Sequence, residues 1–171
     1  MAKVILVDKD DNQTGVMDKL EAHKKGVLHR AFSIFLFNDQ KELLLQKRAE
    51  DKYHSGGLWT NTCCSHPSPG EFLIKSANKR LVEEMGIATS LTQLFAFTYK
   101  TGFGNGLTEH EYDHVLIGNF NASPAPSPNE VCDWRYESFE TIKHEIDENP
   151  DNYTYWFREI YERVFNYVLA Q

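Results

Sequence analysis

The sequence predicts a single domain of the α/β (α+β) class, built on a mixed sheet, and three observations carry that prediction. Strand-like runs outnumber helical ones, and the clearest amphipathic helix falls between strands rather than after them. At 171 residues, 41% of them apolar and 13% aromatic, the chain is long enough and apolar enough for one packed core. Neither an internal repeat nor a domain boundary divides residues 1–171.

The elements follow in order. Val4 to Val7 reads as a short strand, Lys9 to Asn12 as a turn, and Thr14 to Met17 as its hairpin partner. Asp18 to Gly26 is a polar segment. Arg30 to Phe37 is too apolar for a strand with one solvated face, so it belongs in the middle of the sheet. Asn38 to Lys41 turns the chain, and Glu42 to Arg48 is expected to pair back as a hairpin. A loop, Ala49 to Gly57, ends in Gly56-Gly57. Gly70 to Met85 is a helix: Leu73, Ala77, Leu81 and Met85 recur every fourth residue, and Gly86 stands where a C-cap belongs. Leu91 to Tyr99 is a strand, Lys100 to Leu107 a glycine-rich loop, and Thr108 to Phe120 a long strand. Ala122 to Asn129, with three prolines, links to a strand at Glu130 to Tyr136. Helices are expected over Glu137 to Glu148, stopped by Asn149-Pro150, and over Trp156 to Leu169.

A formal net charge of −7 argues against nonspecific binding to nucleic acid or to an anionic membrane surface, and leaves room for a small anion held by a few convergent cations. Three cysteines, two of them adjacent, do not make a disulfide framework and fit a reducing compartment. The N-terminal apolar run is too short for a signal peptide, and no stretch approaches a membrane span, so a soluble cytoplasmic protein is expected.

The chemistry gathers around Asn61-Thr62-Cys63-Cys64-Ser65-His66-Pro67. In an extended segment alternate residues share a face, which puts Cys64 with His66 and turns Cys63 and Ser65 away. A thiol beside an imidazole can serve as a nucleophile or proton donor next to a metal ligand. The same alternation puts Glu109, Glu111 and Asp113 on one face and His110, Tyr112 and His114 on the other. His23, His29 and His66 with Glu109 and Glu111 form a donor set suited to zinc, manganese or iron. Taken singly, each of these histidines reads as an ordinary loop or surface residue.

Residues 65–87 resemble the Nudix box, Gly-x5-Glu-x7-Arg-Glu-aliphatic-x-Glu-Glu-x-Gly-aliphatic, in degenerate form. Glu71, Glu83, Glu84, Gly86 and Ile87 match; Ser65 replaces the first glycine, Lys79 the arginine and Arg80 the first glutamate of the inner cluster. A Nudix-like mixed sheet flanked by helices and a diphosphate ligand are therefore expected. Arg80 removes a carboxylate from the cluster that gathers magnesium for hydrolysis, which weighs against that reaction.

Asn61-x-x-Cys64-x-His66-Pro67 is similar to the signature of the type 1 isopentenyl-diphosphate isomerases. Around it stand His23-x5-His29, Trp59-Thr60-Asn61, Glu84-Met85-Gly86, Tyr99, Glu109-x-Glu111 and Trp156, in that family's order, so the resemblance runs from about Lys3 to Phe157. It implies an enzyme that interconverts isopentenyl and dimethylallyl diphosphate by a 1,3-allylic proton shift. It implies Cys64 and Glu111 as the proton-transfer pair, Tyr99 as a hydrogen-bond partner of Glu111, and Trp156 as the aromatic face toward the carbocation. It implies His23, His29, His66, Glu109 and Glu111 as ligands of one tightly bound divalent ion, Mn2+ or Zn2+, and Glu84 as the ligand of a Mg2+ that arrives with the diphosphate. Lys19, Arg48, Lys52 and Arg80 are the cations expected to meet that diphosphate. The expected partner is thus a small allylic or homoallylic diphosphate, with no nucleic acid and no membrane, bound by a monomer or weak dimer. Two other readings of the same residues stay open at this point: a Nudix-type diphosphate hydrolase, and a diphosphate- or metal-binding module without turnover.

Overall fold

The structure is a computed structural model that describes residues 2–171. Among these, β1 (Lys3–Val7) and β2 (Gln13–Asp18) form the expected hairpin. Helix α1 (Lys19–Lys25) follows, then β3 (His29–Phe37), β4 (Leu43–Arg48), and two very short strands, β5 (Trp59–Thr60) and β6 (Cys63–Ser65). Helix α2 (Leu73–Met85) precedes β7 (Thr92–Gly102), β8 (Thr108–Asn119) and β9 (Val131–Glu137), and the chain ends with α3 (Phe139–Glu148) and α4 (Tyr155–Leu169).

Strand β3 is the centre of the sheet, as its apolar run predicts. One edge is paired along its whole length with β8, in parallel, and β7 lies antiparallel on the far side of β8. The other edge is shared: β1 pairs at His29, β6 at Phe32 to Ile34, and β4 only at Phe37. The expected β3–β4 hairpin is therefore joined at a single register pair, Phe37 with Leu43. Beyond it the strands part, β6 takes the place beside β3, and β4 pairs instead with β5 and β9. That splaying opens room next to β6.

Burial on both faces explains why β3 lacks the alternation of a half-exposed strand. Phe35 and Phe37 pack with Trp156, Phe157, Tyr161 and Phe165 of α4. Phe32, Ile34 and Leu36 pack with Ala77, Leu81 and Met85 of α2. Helix α2 begins at Leu73, three residues after the expected start, and Gly86 caps it in the left-handed conformation at φ 66°. A Cβ on Gly86 would also lie 2.6 Å from the Ala125 carbonyl oxygen, so the linker needs a glycine there twice over.

The polar segment 18–26 proves to be helical. Asp18 caps α1 by accepting from the Glu21 amide, and Gly26 closes it at φ 65°. Among the described residues no helix is long and apolar enough to cross a membrane.

Candidate active site

Three histidines converge from three elements. His23 lies in the last turn of α1, and its Nδ1 donates to the Lys19 carbonyl at 2.6 Å. His29 opens β3, and its Nδ1 donates to the Val27 carbonyl at 2.9 Å. A carbonyl only accepts, so each of these Nδ1 atoms carries the proton and each Nε2 presents a lone pair. Both lone pairs face carboxylates: His23 Nε2 lies 2.6 Å from Glu109 Oε1, and His29 Nε2 lies 3.2 Å from Glu109 Oε1 and 3.4 Å from Glu111 Oε2. His66, just past β6, brings its Nε2 to 2.7 Å from Glu111 Oε2. The register of β3 and β8 sets His29 beside Glu111, which is why residues so far apart in sequence meet.

Lone pairs directed at carboxylates repel unless a cation lies between them. Donor atoms of His23, His29, His66, Glu109 and Glu111 all fall within 4.8 Å of one another, and all but His66 are buried. His29 Nε2 and Glu109 Oε1 are buried without a hydrogen-bond partner among the described residues. The set therefore fits a divalent ion with nitrogen and oxygen ligands. The protons respond to the same field. Where no ion lies between them a second proton takes its place on His29: burial pulls the imidazole down, but the Glu109 and Glu111 carboxylates beside it overcome this and raise the group to about 10. Burial pushes the Glu109 carboxyl up, and hydrogen bonds from His23, His29 and His54 bring it well below the usual carboxylate range.

The opposite wall is built on β6. Cys64 pairs with Ser33 of β3, and its side chain shares the cavity with His66, Tyr99, Glu111 and Trp156. The thiol donates to Asn61 Oδ1 at 3.1 Å and receives the Trp156 indole N–H at 3.1 Å. Asn61 is itself fixed, donating to the carbonyls of Ile34 and Cys63 and accepting from Thr60. Burial first, and then the Asp113 charge, push the Cys64 thiol up to about 12. Cys63 faces the other way, fully buried against α2. Tyr99 donates to Glu111 Oε1 at 2.6 Å, and burial keeps it a phenol.

The expected cations close the mouth of this cavity, about 80 Å³ in volume, where it meets a wider one of about 560 Å³. Lys19, Lys52 and Arg80 line both. Burial, followed by repulsion from Lys52 and Arg80, holds Lys19 below its ordinary value, as expected where cations converge on space for an anion. Lys52 is paired with Glu130, and Arg80 donates at 2.7 Å to both Glu83 and Glu84. The Arg48 guanidinium lies 5.4 Å from the Trp156 ring centre. Glu84 lies apart from the five-residue donor set, with one oxygen on Arg80 and the other 3.2 Å from Gln46 Nε2.

Sequence reasoning missed His54, which is buried with its Nε2 3.1 Å from Glu109 Oε2, and Gln46, which braces Glu84. Neither belongs to a periodic pattern that marks it: His54 sits in the 49–57 loop, and Gln46 reads as one more strand residue.

The NUDIX domain model matches residues 27–157. The chain is 48% identical over 170 residues to an isopentenyl-diphosphate Delta-isomerase of Pectobacterium atrosepticum, covering 99% of this chain and 95% of that one. The chain belongs to the isopentenyl-diphosphate Delta-isomerase family. A relative of the same name from Burkholderia multivorans is 47% identical over 94% of this chain and 92% of its own. In fold the chain resembles the crystal structure of DR0079 from Deinococcus radiodurans, with a TM-score of 0.72 at 18% identity over 86% of this chain and 90% of that one. A MutT protein of Methanosarcina mazei superposes with a TM-score of 0.65 at 19% identity, over 84% and 96% of the two chains. The chain thus shares the fold of these proteins. In this member Arg80 occupies the helix face with Glu83 and Glu84 and neutralises carboxylates there.

Proposed function

We propose that this chain interconverts isopentenyl and dimethylallyl diphosphate, with Cys64 and Glu111 as the two proton carriers. The observation that supports this most is their placement on one small cavity whose mouth is basic. The reaction adds a proton at one end of an allylic unit, places positive charge on the tertiary carbon, and removes a proton from the other end. Atoms balance, and no water is needed. At rest Cys64 is a neutral thiol, so it is the carrier with a proton to give to isopentenyl diphosphate, and Glu111 is the carrier that takes one. The Trp156 indole N–H, 3.1 Å from Sγ, is in place to stabilise the thiolate left behind, while the Ser33 hydroxyl, 3.8 Å from Sγ, donates at 2.7 Å to Asp113. Tyr99 holds the Glu111 carboxyl in position as it gains and loses its proton. The Trp156 ring offers a π face that attracts the cation without a lone pair to trap it.

His23, His29, His66, Glu109 and Glu111 would hold the tightly bound ion, Mn2+ or Zn2+; when bound, it lends positive charge that tunes the acidity of its ligands. Glu84 would hold Mg2+ carried in with the diphosphate, and Lys19, Arg48, Lys52 and Arg80 would bind the diphosphate itself. The three free cysteines accord with work in the cytoplasm.

The test is proton NMR of isopentenyl diphosphate with the protein and Mg2+ in heavy water. Dimethylallyl diphosphate carrying deuterium is the expected product. Release of phosphate would instead mark a hydrolase, and an unchanged spectrum at saturating protein a binding module.

A further inference from the structure

The three imidazoles against Glu109 are of two kinds. His23 and His29 carry their protons on Nδ1 and turn bare Nε2 atoms inward. His54 is the reverse. Its Nε2 meets Glu109 Oε2 at 3.1 Å, and a carboxylate only accepts, so that nitrogen carries the proton. Its Nδ1 then accepts from the Ser55 hydroxyl at 3.1 Å. His54 is outside the group of five mutually close donor atoms. It therefore acts on Glu109 and is not itself a ligand.

Its ring is held on several sides. Phe103, from the loop between β7 and β8, stacks on it at 4.3 Å and 4°, and Trp156 meets it edge-on at 6.0 Å. The backbone is pinned as well. Ser55 and Gly57 adopt positive φ of 55° and 75°, and a Cβ on Gly56 would sit 2.5 Å from the Glu50 carbonyl oxygen. Arg48 donates to the His54 carbonyl at 3.2 Å, tying this loop to a residue at the cavity mouth.

We infer that His54 is a positioning residue for the divalent ion: by occupying Glu109 Oε2 it leaves Oε1 alone to face the ion, so that Glu109 binds through one oxygen. The inference rests on the metal reading given above. Removing such a partner costs roughly 10–100-fold in metal affinity in other sites. Without His54, Oε2 is free to swing inward, and the coordination of the ion changes.

Titration of the metal-free protein with Zn2+ against a chromophoric chelator, and with Co2+ followed by its visible absorption, tests this without any activity measurement. His54→Phe keeps a ring for Phe103 and removes the donor. It should bind Zn2+ about 10–100-fold more weakly and shift the Co2+ band. His54→Gln restores an N–H at nearly the same reach and should recover most of both. Phe103→Leu loosens the stack and leaves the donor, and should change little. If His54→Phe does not fold, His54→Asn, whose donor is too short to reach Oε2, takes its place and should show the same loss. Wild-type affinity and an unshifted Co2+ band in the donor-less variant would overturn the inference while leaving the metal site standing. An equal loss in Phe103→Leu would overturn it too, by tracing the effect to packing. If the unmodified protein bound no stoichiometric ion, the metal reading and this inference would fall together.

Discussion

Cys63 and Cys64 are adjacent in sequence and lie on opposite faces of the sheet. Cys63 is fully buried among Phe32, Ile34 and Leu81, beneath α2, where burial raises its thiol well above the ordinary value. Cys64 packs at the edge of the α4 cluster and opens into the cavity. Strand β8 repeats the contrast. Glu109, Glu111 and Asp113 turn toward the site, while His110 bonds the Gly26 carbonyl and His114 bonds Asp11 and Gln93. The lesson is that the period-two alternation of strands separates chemistry from framework residue by residue. A one-residue slip in β6 or β8 would exchange them.

The largest effect that sharpens this contrast is on β8. Glu111→Gln keeps the shape and removes the proposed proton carrier, and kcat should fall by about 10²–10⁴-fold or more. His110→Gln, one residue away on the other face, should leave kcat near the wild-type value. Steady-state kinetics on both variants checks this, and comparable losses would break the contrast.

An intermediate effect is expected at Trp156, which lines the cavity and donates its indole N–H to Cys64. A cation–π attraction of ~2 kcal/mol in a desolvated pocket corresponds to about thirtyfold in rate if it acts only in the transition state. Trp156→Phe keeps a π face and loses the N–H to Cys64, so it should retain partial activity. Trp156→Leu loses both and should lose more kcat than stability. Equal kcat in the two variants, or losses that track melting temperature, would reduce Trp156 to a packing residue.

The smallest effect lies on the framework face. Burial lowers the His114 pKa below its ordinary value, with Asp11 opposing. The folded value therefore lies below the unfolded one near 6.5. Stability that His114 contributes above pH 6.5 is lost as pH falls from there toward the folded value, because only the unfolded chain takes up the proton in that window. His114→Gln should flatten this part of the profile. Urea midpoints at pH 7.5 and 5.5 should fall less between the two pH values in the variant than in the wild type, with kcat little changed.

Much of this was legible in the chain because strands write their faces in alternate letters. Cys64 with His66, and Glu109 with Glu111, were paired on that rule and do share the cavity. The central position of β3 follows from a run that is apolar at every position from Ala31 to Phe37 but Ser33. Helix α1 was missed although Asp18 and Gly26 mark its two ends, because seven residues with two apolar positions show no periodicity. The β3–β4 pairing is shorter than its turn suggests, since a turn signal fixes where strands join and not how long they stay paired. His54 was invisible for a different reason. Its place is set by loop backbone at positive φ and by a stack with Phe103, and neither leaves a pattern in sequence.

The claim that one face of the sheet carries the chemistry is tested most directly by kcat for Cys63→Ala and Cys64→Ala, measured side by side on folded protein of equal metal content. Cys64→Ala should reduce turnover below detection at unchanged melting behaviour. Cys63→Ala should keep most of the turnover and lose about 1 kcal/mol of stability, as a typical small deletion does. Equal loss of kcat in both variants, or greater loss in Cys63→Ala, would contradict the account.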